Sequence, residues 1–176
     1  NGFLCINDFI LYRNGMSRKI KKIVFKPIEK LGKHRVCVRL PEETKQQLKI
    51  RASEEYAGRS KQSRMVEEAL KYYIFTKKDI NWQEYQRDND YAELVDDIIE
   101  GLNQKNLSGA NQIFLSDAIL RDLAELEMRV RLTKPLMNDV RTGIIRKAIS
   151  IRLSAGDKEW FDSIMRDADT LMDKPR

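Results

Sequence analysis

Apolar and polar positions alternate strictly along Val36-Cys37-Val38-Arg39-Leu40, which predicts a half-buried strand over 34–40 with Val36, Val38 and Leu40 inward and Arg35, Cys37 and Arg39 outward. Pro41 ends that alternation and suits the first turn of a helix, where Glu42 and Glu43 favour the positive end of the dipole. The period then becomes helical through Leu48, Ala52 and Tyr56 and stops at Gly58. A second helix is expected from Ser60–Ser63 through Met65, Val66, Ala69, Leu70, Tyr73 and Ile74, closing near Thr76-Lys77-Lys78.

A fainter copy of this order follows. Ile113-Phe114-Leu115 reads as a short strand and Ser116-Asp117 as a helix cap. Leu120, Leu123, Ala124 and Met128 mark a first helix, and Val140, Ile144, Ile145, Ala148 and Ile149 mark a second beyond the break at Thr133-Lys134-Pro135. Between the copies, Tyr91, Leu94, Val95, Ile98 and Leu102 recur at helical spacing after the cap candidates Asp88-Asn89-Asp90, and Gly101 and Gly109 bracket the end. Trp160, Phe161, Ile164, Ala168 and Leu171 predict a final amphipathic helix. The resulting division is a basic N-terminal arm at 1–33, a first unit at 34–78, an acidic helical connector at 79–109, a second unit at 110–153 and a C-terminal helix at 154–176. Met16-Ser17-Arg18-Lys19 has the look of a natural start, so residues 1–15 read as upstream or added sequence.

Charge sharpens this picture. The net charge of +6 is modest, but Arg18 to Arg39 holds nine bases, including Lys33, Arg35 and Arg39, against Glu29 alone. Asp79 to Gly101 reverses the sign, so the whole-chain figure understates a basic face. Two unframed cysteines, Cys5 and Cys37, fit reduced thiols and a cytoplasmic setting, and no apolar run is long enough for a membrane span. The residues at 16–33 read either as a solvated arm or as one lying on phosphates.

No catalytic constellation emerges. His34 has no carboxylate pattern to orient it, His34 and Cys37 lack a second ligand pair for a metal, and no phosphate-cradling glycine loop occurs. Asp96-Asp97 reads as a solvated pair without a basic partner. The expectation is a protein that is not an enzyme and uses neither cofactor nor metal.

The order of strand, Leu40-Pro41, helix, glycine and polar helix start, carried by Arg35–Glu43, Leu48, Ala52, Ser63, Val66, Ala69 and Leu70, resembles the ribbon-helix-helix superfamily of prokaryotic DNA-binding proteins. In the second copy Leu115, Leu123, Thr142, Ile145 and Ala148 stand at corresponding places. Two departures stand out: extra residues around Ala57–Arg59, and a long turn from Arg131 to Asp139 without the usual glycine. The resemblance implies a mainly α fold with a short two-stranded antiparallel β-ribbon whose partner strand usually comes from a second identical chain; here the second copy is covalently attached at a high effective concentration, which favours a tandem pseudo-dimer within one chain. The alternative is an unrelated helical domain at 110–176 and a homodimer of the first unit. A lone unit of this size cannot bury a sufficient core, so a partner strand is required either way.

A ribbon of this kind fits the major groove of double-stranded DNA. Arg35, Cys37 and Arg39 on one strand, with Gln112 and Phe114 on the other, are the expected base contacts. Lys33 and the helix starts at Ser60, Lys61, Gln62, Ser63, Asn138, Arg141 and Thr142 are the expected phosphate contacts, although serine and threonine there also serve as ordinary caps. Unlike strands imply an asymmetric site. The roles the resemblance implies are a plasmid or conjugation accessory that recruits a relaxase, a transcriptional repressor, or an antitoxin-like protein whose acidic connector and C-terminal helix bind a protein partner.

Overall fold

The computed structural model describes residues 32–156 together with 158 and 161–163; the N-terminal arm and most of the C-terminal helix fall outside the described residues. The element order is β1 (Lys33–Pro41), α1 (Glu42–Glu55), α2 (Lys61–Thr76), a 3-10 turn at Tyr85–Arg87, α3 (Asn89–Leu102), β2 (Leu107–Ser116), α4 (Asp117–Thr133) and α5 (Val140–Ser154). The chain is therefore mainly helical, with one two-stranded antiparallel sheet.

The sheet joins the two strands that the alternation singled out. Lys33 faces Ser116, Arg35 faces Phe114, Cys37 faces Gln112 and Arg39 faces Ala110, with an irregularity between Arg39 and Pro41. β2 is longer than the expected Ile113–Leu115, because pairing with β1 recruits the weakly patterned Leu107–Gln112 as well. Val38, Leu40, Ile113 and Leu115 point inward and are fully covered. Their cover is a single core shared by every helix, with Leu48 and Ala52 from α1, Met65, Val66, Ala69, Leu70 and Tyr73 from α2, Leu94 and Ile98 from α3, Leu123 from α4, and Ile144, Ile145 and Ile149 from α5.

Two sequence expectations change here. The acidic connector is part of the core: α3 and α5 cross so closely that a Cβ on Gly101 would lie 2.3 Å from the Gly143 carbonyl oxygen, and one on Gly143 would lie 2.7 Å from that of Ile98. Gly101, one residue before the end of α3, is thus also its contact point with α5. Asp97 is buried as well, where it accepts from the Tyr73 hydroxyl at 2.9 Å and pairs with Lys147 at 3.1 Å and Lys77 at 3.5 Å. Burial and the facing Asp97 carboxylate push the Tyr73 phenol well above its ordinary range.

In α4 the inward stripe is Ile119, Leu123, Leu126 and Val130. Ala124 and Met128, which helped to mark this helix in the sequence, face solvent. Once Leu123 is inward, Leu126 and Val130 fall on its face at helical spacing, and Ala124 and Met128 are carried outward.

Candidate nucleic-acid interface

The outward face of the sheet carries Arg35, Cys37 and Arg39 on β1 and Ala110, Gln112 and Phe114 on β2, all exposed. Alternation places them: residues two apart share a face, and the inward set is fixed by the core. The geometry thus brings all five expected base-contact residues onto one face, where Phe114 retains 39% exposure. Sequence reasoning omitted Ala110, the small residue opposite Arg39. β1 supplies Lys33, His34, Arg35 and Arg39, whereas β2 carries no ionisable side chain.

His34 does have an orienting partner. Its Nε2 lies 2.5 Å from Asp117 Oδ1 across the sheet, and the other Asp117 oxygen accepts from the Gly32 N–H at 3.2 Å. Residues this far apart in sequence meet only because β1 and β2 pair, so local spacing could not reveal the contact.

The first-copy phosphate candidates sit beside the ribbon. Gly58 takes φ +82°, Ser60 takes φ +58°, and α2 begins at Lys61. The Ser60 side chain makes no capping hydrogen bond to the helix start. An open depression is lined by Ser60, Lys61, Gln62 and Ser63 together with Gln112 and Phe114, and also by Lys49 and Ser53 of α1. Lys49 had no sequence signal, because it joins this group only when α1 is docked. Lys61 Nζ donates to the Ser53 carbonyl at 3.3 Å while remaining at the surface.

Ser63 has a different position from its neighbours. It is buried, and its hydroxyl accepts from the Phe114 N–H at 3.0 Å, which makes it a strut under β2. Glu67, one turn on, accepts from the Ser116 N–H at 3.1 Å and from Lys33 Nζ at 3.0 Å. Burial pushes the Glu67 carboxyl up, but the bonds from Ser116 and Lys33 outweigh it and hold the group below its ordinary value. Lys33, expected on phosphate, is thus already engaged with a carboxylate.

The second helix start is built with different chemistry. Asp139 takes φ +55° before α5, matching the left-handed residue before α2 but placing a carboxylate there. Asn138 is exposed and Thr142 half-buried, and Arg141 is held by Glu127 at 2.8 Å. These three are therefore poorer anion ligands than the Ser60–Gln62 group. Arg146 reaches back to the sheet: Nε donates to the Arg39 carbonyl at 2.8 Å and Nη1 to that of Gly101 at 3.1 Å. It occupies in α5 the place that Glu67 occupies in α2, counted from Asp139 and Ser60.

Among the described residues no cluster of histidine, cysteine or carboxylate side chains could hold a metal ion, and no helix is long and apolar enough to cross a membrane. No family model, curated protein or solved structure matches the chain.

Proposed function

We propose that the protein binds double-stranded DNA in a sequence-dependent way, as a tandem ribbon-helix-helix pseudo-dimer that lays the β1–β2 face in the major groove. The observation that carries this reading is the intramolecular register of the sheet. It sets Arg35, Cys37, Arg39, Gln112 and Phe114 side by side on a face without acidic residues. A two-stranded ribbon has the width the groove admits, arginine matches guanine O6 and N7, glutamine matches adenine N6 and N7, and an aromatic edge suits the thymine methyl. The free hydroxyl and amides at Ser60–Gln62 stand beside that face, as a phosphate contact requires.

Aligned at Leu40 and Leu115, each strand meets its own counterpart at the Cys37–Gln112 pair. The two sides of that point differ, so the preferred site is asymmetric. Function as a conjugation accessory or as a transcriptional regulator follows equally from such binding. An acidic surface for a basic protein partner has less support, since Glu93, Asp97 and Glu100 of α3 are already paired with Lys77 and Lys147.

Selection from random duplexes tests the reading, and retention of one non-palindromic sequence is the expected result. With that sequence, Arg39→Ala should cost about 1–3 kcal/mol and relax the preference, while Lys61→Ala weakens all DNA alike and flattens the salt dependence. Failure to retain any duplex at low salt refutes the proposal.

A further inference from the structure

The depression beside β2 is lined by two lysines and no carboxylate. Lys49 and Ser53 come from α1, Ser60 and Lys61 from the start of α2, and Gln112 and Phe114 from the strand. Lys49 is exposed and makes neither an ion pair nor a hydrogen bond among the described residues. Lys61 gives one bond to the Ser53 carbonyl, and Arg59, next to Ser60 in the chain, is exposed and unpaired as well. Cations gathered without acids to neutralise them form a surface for a polyanion.

The second copy of the plan lacks this surface. With Leu40 matched to Leu115, α1 and α4 start at matching places, Glu42 and Asp117, so Lys49 and Ser53 correspond to the exposed Ala124 and Met128. Counted from Ser60 and Asp139, Met65, Val66, Ala69 and Leu70 fall on Ile144, Ile145, Ala148 and Ile149, and all eight are buried. On the same count Arg59 corresponds to Asn138 and Lys61 to Val140, which is fully buried. Each of the three cations is thus replaced by an uncharged side chain. Asp139 adds a negative charge in the place of Ser60, and Arg141, in the place of Gln62, is held by Glu127 at 2.8 Å. Lys134, in the longer turn, lines a separate hollow with Tyr85 and Tyr91.

We infer that the helices grip the DNA backbone on one side only: Lys49 of α1, with Lys61 and Arg59, holds phosphates of the strand running beside β2, and the helices beside β1 hold none. The two walls of a major groove belong to opposite strands, so a ribbon lying in the groove has one strand beside each of its edges. The inference rests on the groove-binding reading above and adds Lys49 and Arg59 to the residues that hold the duplex. Backbone attraction from the helices then comes from one wall, which makes the salt dependence shallower than that of a grip on both.

Single uncharged methylphosphonates, placed in turn along both strands of the selected duplex, supply the test with the full chain. The sensitive positions flanking the ribbon should lie on one strand, each costing about five- to tenfold in affinity at about 0.1 M salt, while their two-fold-related mates on the other strand cost less than about twofold. Lys49→Met should weaken binding of the unmodified duplex by a similar factor and lower the salt slope by about one. It should also abolish the cost of one of the sensitive methylphosphonates, because a contact already lost cannot be lost again. Lys49 is exposed, so the variant should keep the circular dichroism of the wild type. Equal costs on the two strands, or a Lys49→Met protein with the full salt slope and every sensitivity intact, overturn the inference and leave the groove-binding reading standing. Retention of no duplex at low salt overturns both.

Discussion

The segment β1-α1-α2 and the segment β2-α4-α5 share a backbone plan and invert much of its chemistry. β1 is cationic and β2 uncharged. The tie from the second helix to the opposite strand is a carboxylate, Glu67, in one and a guanidinium, Arg146, in the other. The left-handed residue before that helix is Ser60 in one and Asp139 in the other. The difference explains why these strands pair with each other. A β1 strand pairing with a copy of itself about Cys37 would set Arg35 opposite Arg39 twice, and like charges directly opposite destabilise a sheet. The observed pairing gives Arg35 the ring of Phe114 and Arg39 the methyl of Ala110 instead.

The strongest way to break the comparison lies on the helices behind the sheet. Counted from Ser60 and Asp139, Arg64 and Gly143 hold the same place, yet Arg64 is exposed and Gly143 is pressed against Ile98. Gly143→Ala should cost about 3–5 kcal/mol, because the nearest obstacle, the Ile98 carbonyl oxygen, belongs to helix backbone and cannot yield as the neighbouring Ile98 methyl could. Arg64→Ala, which gives up a cation over the Tyr56 ring and a bond to the Ala57 carbonyl, should cost less than about 1 kcal/mol. Urea denaturation measures both, and equal losses would mean that α3 does not clamp α5.

Next come the two ties. Arg146→Met leaves the Arg39 and Gly101 carbonyls without their donor, at about 2–3 kcal/mol. Glu67→Gln should cost about 1 kcal/mol at neutral pH, and the two differ in pH dependence. The folded protein holds the Glu67 carboxyl below its ordinary value near 4.5, so its contribution is whole above that value and fades as pH falls through the lower folded one. The difference between wild type and Glu67→Gln should therefore shrink in acid. The Arg146 difference should not follow it, and parallel pH curves would remove the distinction between the ties.

What the sequence disclosed follows the range of the forces involved. The alternation at Val36–Leu40 and the helical periods of α2 and α3 are local patterns, and they placed the strand, the helices and the outward residues. Ser63 was legible as a helix-start residue but not as a strut, since its partner Phe114 N–H comes from the opposite strand. Asp97 and His34 were misread for the same reason, since Lys147 and Asp117 reach them only after the two segments close on each other, and Gly101, legible as lying near the helix end, gave no sign of its contact with Gly143. Leu120, Leu123, Ala124 and Met128 marked α4 without choosing its inward face, because a short window admits two phases of the same helical period. Only packing against Leu123 and Leu126 selects between them.

The mildest test restores the symmetry that the ribbon lacks. Ala110→Arg places a guanidinium opposite Arg39 on the exposed face, where side chains stand free of the core. Two like charges across an antiparallel pair should lower stability by about 0.5 kcal/mol, measurable as a small shift in the urea midpoint. The same change adds one cation to the proposed groove-facing surface. Affinity for arbitrary duplexes should rise, the salt dependence should steepen by about one counterion, and the preference between the two halves of the selected site should narrow. A variant whose half-site preference is unchanged would show that the uncharged strand contributes nothing to the asymmetry, which would then reside in the unequal helix starts at Ser60 and Asp139.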